Sequence, residues 1–330
     1  MKKRMVIIGA NGSGTKRTIP ALATSSLCEI VALQSRNQEK LQQTCTEYGI
    51  PNYYSDVEEM LRQEDFDLIF IANPPFLHLA TIEQCLKYNK AIICEKPLAR
   101  NYPEAQEIAK LLNTYPNEIT IAHHLRHQPA YHELSVMLQN KRIGEVRSVW
   151  GQWGFNINPQ AASSLWKLDN NLGGGGTFSD NGIHVIDFIV GLFGADCTVC
   201  GSSRLFAFKE SFSNETLLMR YPDKDVVINS SHTMPFPGNH LLLYGTAGKI
   251  EIPHCFSEKS LKKIIITTFD QETILEYPEV NLYKNEVENF IEHCWSDSEN
   301  PFYGTTLQEQ LASLKIIDEL RNSQQSSTSI

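Results

Sequence analysis

The chain has 330 residues, of which 42% are hydrophobic and 20% charged, a composition typical of a folded protein with a full core. It carries 29 basic and 38 acidic side chains, a net charge of −9, which argues against a nucleic-acid partner because such partners need a basic face. Its apolar runs are far shorter than the ~18 residues that cross a bilayer, and the apolar stretch near residue 6 is too short for a secretion signal. Its 8 cysteines are too sparse for a disulfide scaffold, so we expect a soluble cytoplasmic protein without a membrane partner.

Short apolar runs alternate with amphipathic stretches in the first part of the chain. The apolar runs predict strands at Met5–Ile8, Ile30–Leu33, Leu68–Ala72, Ala91–Cys94 and Ile119–Ala122. Helical spacing occurs between them, at Gln38–Tyr48, Val57–Gln63, Ile82–Tyr88 and Pro103–Leu112. Apolar strands separated by helices predict an α/β domain whose parallel sheet is covered on both faces. Such sheets bind ligands at the carboxyl ends of their strands.

The pattern changes after about residue 125, where strands follow one another without helices between them. These strands are predicted at Val146–Phe155, Val199–Phe208, Thr216–Arg220, Val226–His232, His240–Tyr244 and Ile264–Thr268. Helices are predicted at Pro129–Asn140, around His184–Leu192, at Lys284–Cys294 and at Leu307–Arg321. The sequence therefore predicts two domains, residues 1–123 and an α+β domain of residues 124–330 with a large, mostly antiparallel sheet. Helices within residues 284–321 are expected to pack back on the first domain.

A glycine-rich loop joins the first predicted strand to a helix. The loop consists of Gly9, Ala10, Asn11, Gly12, Ser13, Gly14 and Thr15. Backbone amides at such a turn, with the helix dipole behind them, can hold the pyrophosphate of a dinucleotide. The spacing is G-x-x-G-x-G rather than G-x-G-x-x-G, so the loop by itself is also compatible with a tight turn that binds nothing.

The end of the second strand indicates which nucleotide would bind. An NAD site has an acidic residue there to hold the ribose hydroxyls, whereas this chain has Ser35 and Arg36. A serine hydroxyl and a guanidinium can both bind a 2′-phosphate, which favours NADP(H) over NAD(H). The alternative is that Arg36 is an ordinary solvated loop charge.

Two further segments carry candidate catalytic groups. Lys96, between Glu95 and Pro97, follows the predicted strand Ala91–Cys94, and the end of this strand is where a cofactor's reactive end would lie. Asp180 and His184 follow a run of glycines and share one face if their segment is helical. A histidine with a near-neutral pKa can exchange a proton with a substrate oxygen, and a nearby carboxylate can orient it. In isolation, His184 could equally be a core histidine and Asp180 a helix cap.

Together these segments resemble the glucose–fructose oxidoreductase / inositol dehydrogenase (Gfo/Idh/MocA) family through nearly the whole chain. The matching residues are Asn73-Pro74-Pro75 with His78, Glu95-Lys96-Pro97, Arg126 with Pro129, Trp166, the glycine run into Asp180-x-Gly182-x-His184-x-x-Asp187, and Gly245-Thr246-Ala247-Gly248. The resemblance implies an N-terminal Rossmann domain with a doubly wound parallel sheet. It also implies a C-terminal substrate domain whose sheet forms oligomer contacts, giving a homodimer or homotetramer.

The resemblance also assigns site residues. It implies that Lys96, Asp180 and His184 form the catalytic set and contact the substrate. The nicotinamide end of the cofactor is expected near Asn73–Pro75, Glu95 and Lys96, and His78 is expected to be a further cofactor-binding residue. The substrate pocket is expected to include His124, Arg126 and Trp166.

A group of histidines, His123, His124, His127 and His132, could be read as a metal site. No cluster of carboxylates accompanies them, and a metal site needs a closed ligand set with supporting contacts, so we predict no metal.

These observations predict an enzyme that transfers a hydride between NADP(H) and a secondary alcohol or ketone of a sugar, cyclitol or related polyol. Two alternatives stay open. One is a regulator of the same fold that binds a dinucleotide without turnover, and the other is a glycosidase that uses tightly held NAD.

Overall fold

The computed structural model describes residues 1–12, 15–161, 165–208, 211–234, 239–256, 263–296 and 304–322. The chain divides into two compact units, one formed by residues 1–124 and 283–307 and the other by residues 125–282 and 308–330. None of the helices in these described ranges is long and apolar enough to cross a membrane.

The described part of the first unit forms a six-stranded sheet in the order β3-β2-β1-β4-β5-β6, and every neighbouring pair is parallel. The strands are β1 Lys3–Ile8, β2 Cys28–Gln34, β3 Asn52–Tyr54, β4 Leu68–Ile71, β5 Ala91–Glu95 and β6 Ile119–Ala122. This is the strand order of doubly wound dinucleotide-binding sheets, which reverses between β1 and β4. The sequence analysis missed only β3, whose 3 residues are too few to show a pattern.

Three helices of the first unit begin at side chains that cap them. They are α1 Thr15–Leu22, α2 Gln38–Tyr48, α3 Val57–Gln63, α4 His78–Leu86 and α5 Tyr102–Leu112, with a 3₁₀ turn at Pro75–Leu77. The side chains of Asn37, Asp56 and Asn101 accept hydrogen bonds from backbone N–H groups in the first turns of α2, α3 and α5. Gly49 ends α2 with a φ of +67°, a conformation that favours glycine.

A helix from the far end of the chain completes the core of the first unit. Val287, Phe290 and Ile291 belong to the same buried apolar cluster as strand residues such as Met5 and Phe70. They lie on α9, Leu282–Trp295. The final helix, α10 Leu307–Asn322, lies almost entirely in the second unit.

The described part of the second unit forms an eight-stranded sheet in the order β14-β13-β12-β11-β7-β10-β9-β8. The strands are β7 Val146–Gly154, β8 Thr198–Phe208, β9 Ser211–Arg220, β10 Asp225–Ser231, β11 His240–Gly245, β12 Gly248–Ile252, β13 Lys263–Thr268 and β14 Glu272–Glu276. The pairing is antiparallel except between β7 and β10, which are parallel. The two sheets confirm the predicted fold class. The sequence analysis did not identify β12 and β14.

One face of this sheet is covered by a helix that is buried along most of its length. The helices of the second unit are α6 Pro129–Gln139, α7 Asn170–Gly173, α8 Ile183–Phe193 and α10, with a 3₁₀ turn at His124–Arg126 that begins at the last residue of the first unit. Residues 183–190 of α8 are all buried, as expected of a helix inside a core. At Gly151 on β7 a Cβ would lie 2.7 Å from Val185 Cγ1, so the strand needs glycine for the helix to pack this closely.

The other face of the eight-stranded sheet has an apolar row. The strand register aligns Trp150 with Leu242 on one side and with Val227 and then Leu218 on the other. None of these four side chains is buried, and Trp150 is 49% exposed. Apolar residues in this number on an open sheet face are typical of a surface that contacts another protein.

Candidate active site

The glycine loop of the first unit is held against the strands on either side of it. The backbone N–H groups of Gly9 and Ala10 both donate to the carbonyl oxygen of Gln34 at 2.9 Å. Gly9 has a φ of +81°, and a Cβ on it would lie 2.5 Å from the backbone nitrogen of Asn73. Gly9 is therefore required because two backbones approach closely at the point where the strand order reverses.

Other loop residues have assigned partners. The Thr15 hydroxyl is buried, 2.7 Å from the carbonyl oxygen of Ala10 and 3.0 Å from that of Gly12. It closes the loop, so its predicted contact with a cofactor would have to come from its backbone. Ser13 and Gly14, which the sequence analysis also assigned to the cofactor, lie outside the described residues.

The loop is joined to the end of β2 by one amide side chain. Asn11 Nδ2 donates to Ser35 Oγ and to the carbonyl oxygen of Asn37, both at 3.0 Å. Lys40 Nζ donates to the carbonyl oxygen of Asn11 at 3.4 Å. The sequence analysis missed Lys40, which is four residues after Arg36. A second cation, in the first turn of α2, therefore contacts the glycine loop that Asn11 joins to Ser35.

Two asparagine oxygens along this edge lack partners. Asn11 Oδ1 and Asn73 Oδ1 are buried and have no hydrogen-bond partner among the described residues. Asn73 Nδ2 donates to Thr81 Oγ1 at 2.7 Å, which fixes the amide and leaves its oxygen as an acceptor. Buried polar atoms are rarely unsatisfied, so these oxygens fit a ligand that brings hydroxyl or amide donors.

His78 supports the candidate site through hydrogen bonds to backbone oxygens. It is fully buried, with Nδ1 3.0 Å from the carbonyl oxygen of Leu98 and Nε2 2.8 Å from that of Asn73. Burial lowers its pKa, so the imidazole is neutral and donates to one of these oxygens at a time. The prediction that His78 contacts the cofactor is corrected, because both ring nitrogens face backbone oxygens that hold the segments after β4 and β5.

Lys96 follows β5 and begins a cis peptide with Pro97. Glu95 and Lys96 are both partly buried. The pKa of His124 is lowered to about 3 by burial and by the charges of Lys96, His123 and Arg17. The His124 ring stacks on Tyr283 with the centroids 4.6 Å apart. His124 is therefore a neutral imidazole at neutral pH.

In the second unit, the end of the glycine run packs against the buried carboxylate of Glu215. Glu215 accepts hydrogen bonds from the Thr177 hydroxyl at 3.1 Å and from the Phe178 backbone N–H at 3.0 Å. At Gly176 a Cβ would lie 2.5 Å from Glu215 Oε2, so a larger residue would displace the carboxylate. Burial raises the pKa of Glu215. The sequence analysis missed this residue, which lies on β9, 35 positions after Asp180 in the sequence.

Asp180 and His184 lie on one short segment. Asp180 is in a π-helical turn, Phe178–Gly182, which continues into α8 with His184 in its first turn. Such turns are rare and frequently occur at functional sites. His184 is 4% exposed and its ring centroid lies 5.1 Å from that of Trp153. The predicted helical pair therefore sits on a π-helical turn that joins an α-helix.

Two basic residues that the sequence analysis missed flank Asp180. Lys167 Nζ is 2.7 Å from Asp180 Oδ1, and His232 Nε2 is 3.3 Å from Asp180 Oδ2. Trp166, predicted to line the substrate pocket, is partly buried, and the Lys167 ammonium lies 5.9 Å from its ring centroid.

Arg126 does not have the environment predicted for a substrate ligand. It is 3% exposed, and its Nε and Nη2 donate to the two carboxylate oxygens of Asp187 at 2.7 and 2.8 Å. Its Nη1 donates to Glu309 Oε1 at 2.9 Å. A Cβ at Gly191 would lie 2.6 Å from Arg126 Cζ, so α8 leaves room for the guanidinium. The predicted substrate contact is corrected to a buried ion-pair cluster, because every nitrogen of the guanidinium donates within the protein.

The four histidines fall on both sides of the boundary between the two units. His123 and His124 are in the first unit and His127 and His132 in the second. Across the described ranges, no group of three or more His, Cys, Asp or Glu side chains is arranged to hold a metal ion.

Family models match both parts of the chain. Residues 3–123 match the oxidoreductase family with an NAD-binding Rossmann fold, and residues 131–251 match the GFO/IDH/MocA C-terminal domain. The chain belongs to the Gfo/Idh/MocA oxidoreductase family. The predicted resemblance is thereby confirmed.

Several members of the Gfo/Idh/MocA family are similar to this chain. A trans-1,2-dihydrobenzene-1,2-diol dehydrogenase of Xenopus tropicalis is 28% identical over 226 residues, 68% of this chain and 67% of that protein. A D-xylose 1-dehydrogenase [NADP(+)] of Haloarcula marismortui is 22% identical, covering 91% of this chain and 85% of that protein. The crystal structure of an aldose-aldose oxidoreductase from Caulobacter crescentus with glycerol has the same fold, with a TM-score of 0.87, 21% identity and coverage of 100% and 99%.

The neutral state of His124 predicts a pH-dependent contribution to stability. In the unfolded chain the imidazole takes up a proton near pH 6.5, whereas in the folded chain it does so only near its pKa of about 3. The unfolded state therefore binds more protons between these values, and His124 lowers the free energy of unfolding as the pH falls from about 7 to about 4. We expect His124→Asn to lose less free energy of unfolding than the wild type between pH 7 and pH 5, measured by urea denaturation.

The matched control is His254→Asn, at an exposed histidine of the second unit. It should retain the wild-type dependence on pH. Parallel stability curves for wild type and His124→Asn would contradict the assignment of a neutral, buried imidazole.

Proposed function

We propose that the protein is an NADP(H)-dependent oxidoreductase that interconverts a secondary alcohol and a ketone on a sugar, cyclitol or related polyol. The observation that carries the proposal is the buried segment of the second unit that holds Asp180 and His184. The Asp180 carboxylate in this segment is paired with the Lys167 ammonium. Two relatives, a trans-1,2-dihydrobenzene-1,2-diol dehydrogenase and a D-xylose 1-dehydrogenase, support a hydroxyl-rich substrate.

The first unit would hold the cofactor along the edge where its strand order reverses. The backbone from Gly9 to Gly12 would face the pyrophosphate, and the partnerless oxygens of Asn11 and Asn73 would accept hydrogen bonds from the nucleotide. The nicotinamide end would be held by Asn73, Pro74, Glu95 and Lys96. When bound, the nicotinamide supplies or accepts a hydride.

The chain's own residues would handle the proton and the developing charge. His184, largely withdrawn from water, would take the proton from the substrate hydroxyl in oxidation and return it in reduction. The Lys96 ammonium would stabilise negative charge on the substrate oxygen by a charge-assisted hydrogen bond. Asp180 would orient groups around the reacting carbon through its bond to Lys167.

The preference for NADP(H) over NAD(H) rests on charge at the end of β2. The Ser35 hydroxyl accepts a hydrogen bond from Asn11 Nδ2. Two positive charges lie nearby in the chain, Arg36 just after β2 and Lys40 in the first turn of α2. A 2′-phosphate is attracted by these cations, whereas the acidic residue that binds an unphosphorylated ribose is missing from this position of the sequence.

The protein is also proposed to form a homodimer or homotetramer through the open face of the eight-stranded sheet. The apolar row of Trp150, Leu242, Val227 and Leu218 supports this, because a second copy would remove these side chains from water.

The catalytic assignment is tested with NADPH and a panel of keto-sugars. Lys96→Met and His184→Ala should each lower kcat/KM by ~10²- to 10⁴-fold, because each removes a group that stabilises the transition state. The matched controls are Lys110→Met and His254→Ala, exposed residues of the same types, which should retain wild-type turnover. Equal turnover in wild type, Lys96→Met and His184→Ala would reject the assignment.

The cofactor preference is tested by Arg36→Asp. The change replaces a cation that would bind the phosphate with an anion that would repel it, so the ratio of kcat/KM for NADPH to that for NADH should fall by ~10- to 100-fold. Arg62→Asp, on the exposed side of α3, changes the net charge equally and should leave the ratio unchanged. A wild-type enzyme that uses both cofactors equally would show that Ser35 and Arg36 do not select NADP(H).

The oligomer is tested by Trp150→Glu and analytical ultracentrifugation. Burying a carboxylate in an apolar interface is unfavourable, so the variant should sediment as a smaller species than the wild type. Trp295→Glu, at a tryptophan of the first unit that is 40% exposed, should sediment like the wild type. A monomeric wild type would contradict the proposal.

A further inference from the structure

Three side chains from separate parts of the second unit form a line from the core to the surface. His232 follows β10, Asp180 is in the π-helical turn, and Lys167 precedes α7. Asp180 Oδ2 lies 3.3 Å from the imidazole and Oδ1 lies 2.7 Å from the ammonium. The side chains are 0%, 9% and 22% exposed in that order. The line therefore begins at a buried ring and ends at a partly exposed cation.

The inner end of the line is fixed by packing. The His232 ring packs at 5.2 Å from the Phe155 ring, and its backbone N–H donates to the carbonyl oxygen of Ser213 at 2.8 Å. The ring contacts Asp180 Oδ2 at 3.3 Å without a hydrogen bond, so its packing limits the space open to the carboxylate. Asp180 is in turn tied to the turn that Glu215 anchors through the Phe178 backbone.

The outer end of the line is its most exposed member, Lys167. Asp180 Oδ2 is buried, and Oδ1 lies against the ammonium. An ammonium has three N–H donors, and the bond to Asp180 uses one of them. Lys167 therefore has donors to offer, aimed by a carboxylate that is itself held in place.

The charge of the pair indicates what the ammonium would bind. Lys167 and Asp180 together carry no net charge, so an anionic group would gain little from them. A neutral hydroxyl oxygen loses less on leaving water than an anion does, and it can accept one of the remaining N–H groups. The pair is therefore suited to a hydroxyl group rather than to a carboxylate or phosphate.

We propose that Lys167 is a substrate-binding residue that determines specificity, donating a hydrogen bond to the hydroxyl oxygen adjacent to the reacting carbon. Asp180 acts as its positioning residue, and His232 packs against Asp180. The preferred substrates are then neutral vicinal diols rather than isolated secondary alcohols. This inference rests on the proposed function for the reaction, but binding of the diol can be measured without it.

The kinetic test compares trans-1,2-cyclohexanediol with cyclohexanol, which differ by a single hydroxyl, with NADP⁺ as cofactor. The wild type should prefer the diol, and Lys167→Met should lower kcat/KM for the diol by ~10- to 100-fold, the usual effect of losing a hydrogen bond to a charged group. For cyclohexanol the change should be less than about threefold, because the deleted donor has no hydroxyl to bind. Lys167→Arg, which keeps a charged donor, should restore part of the preference.

The matched control is Lys141→Met, an exposed lysine of the same unit that is paired with Glu145 in a similar way. It should behave as the wild type with both alcohols. Thermal unfolding of each variant shows whether the fold is retained. Equal losses for both alcohols in Lys167→Met would mean a structural role and would overturn the inference, as would a wild type without preference for the diol.

A calorimetric titration of the diol into the protein with NADPH present separates this inference from the proposed function, because the cofactor is already reduced and no oxidation occurs. Binding that weakens ~10- to 100-fold in Lys167→Met but not in Lys141→Met supports the inference, even if the wild type oxidises neither alcohol. In that case the proposed function fails and the binding site stands. Absence of diol binding to the wild type would overturn the inference.

Discussion

A carboxylate removed from water must be paired, and the second unit is organised around this constraint. Among the described residues of this unit, Asp180, Asp187 and Glu215 are the buried acids, and each contacts or lies on the segment from the glycine run through α8. Glu215 accepts from the start of the π-helical turn, Asp180 binds Lys167, and Asp187 binds Arg126. Losing one partner of such a pair leaves a buried charge uncompensated, which is strongly destabilising. The position of His184 follows from these three contacts.

The three acids have different roles, although each contacts or lies on the same segment. Asp187 and Glu215 are enclosed by fixed partners, so they serve the architecture of the segment. Asp180 differs because its partner Lys167 is partly exposed. The carboxylate can therefore transmit a fixed orientation to a group that meets solvent or substrate, which is why the proposed specificity of the enzyme centres on this pair.

In the first unit, the constraint is the close approach of two backbones rather than charge. Gly9 permits the loop after β1 to meet Asn73 after β4, and His78 ties Asn73 to the segment that contains Lys96 and Pro97. The groups proposed to bind a nucleotide are therefore held by backbone contacts. His78 supports them from the core, where the sequence analysis had expected it to touch the cofactor.

Periodicity and spacing determined the strands of the parallel sheet, most helices, the glycine loop, and the candidates Lys96, Asp180 and His184, because these features are encoded by neighbouring residues in the chain. The short strand β3 and the partly exposed strand β14 were missed, since an exposed or brief strand has little apolar pattern to detect. The strand β12 was also missed, although its buried Ile250 and Ile252 alternate with other residues. The tertiary structure alone decided that Arg126 forms an ion pair with Asp187 and that His78 binds backbone oxygens. It also decided that Lys167, His232 and Glu215 contact the turn that contains Asp180. Each of these depends on a contact between residues far apart in the sequence, and side-chain type does not reveal which of many partners will be near once the chain has folded.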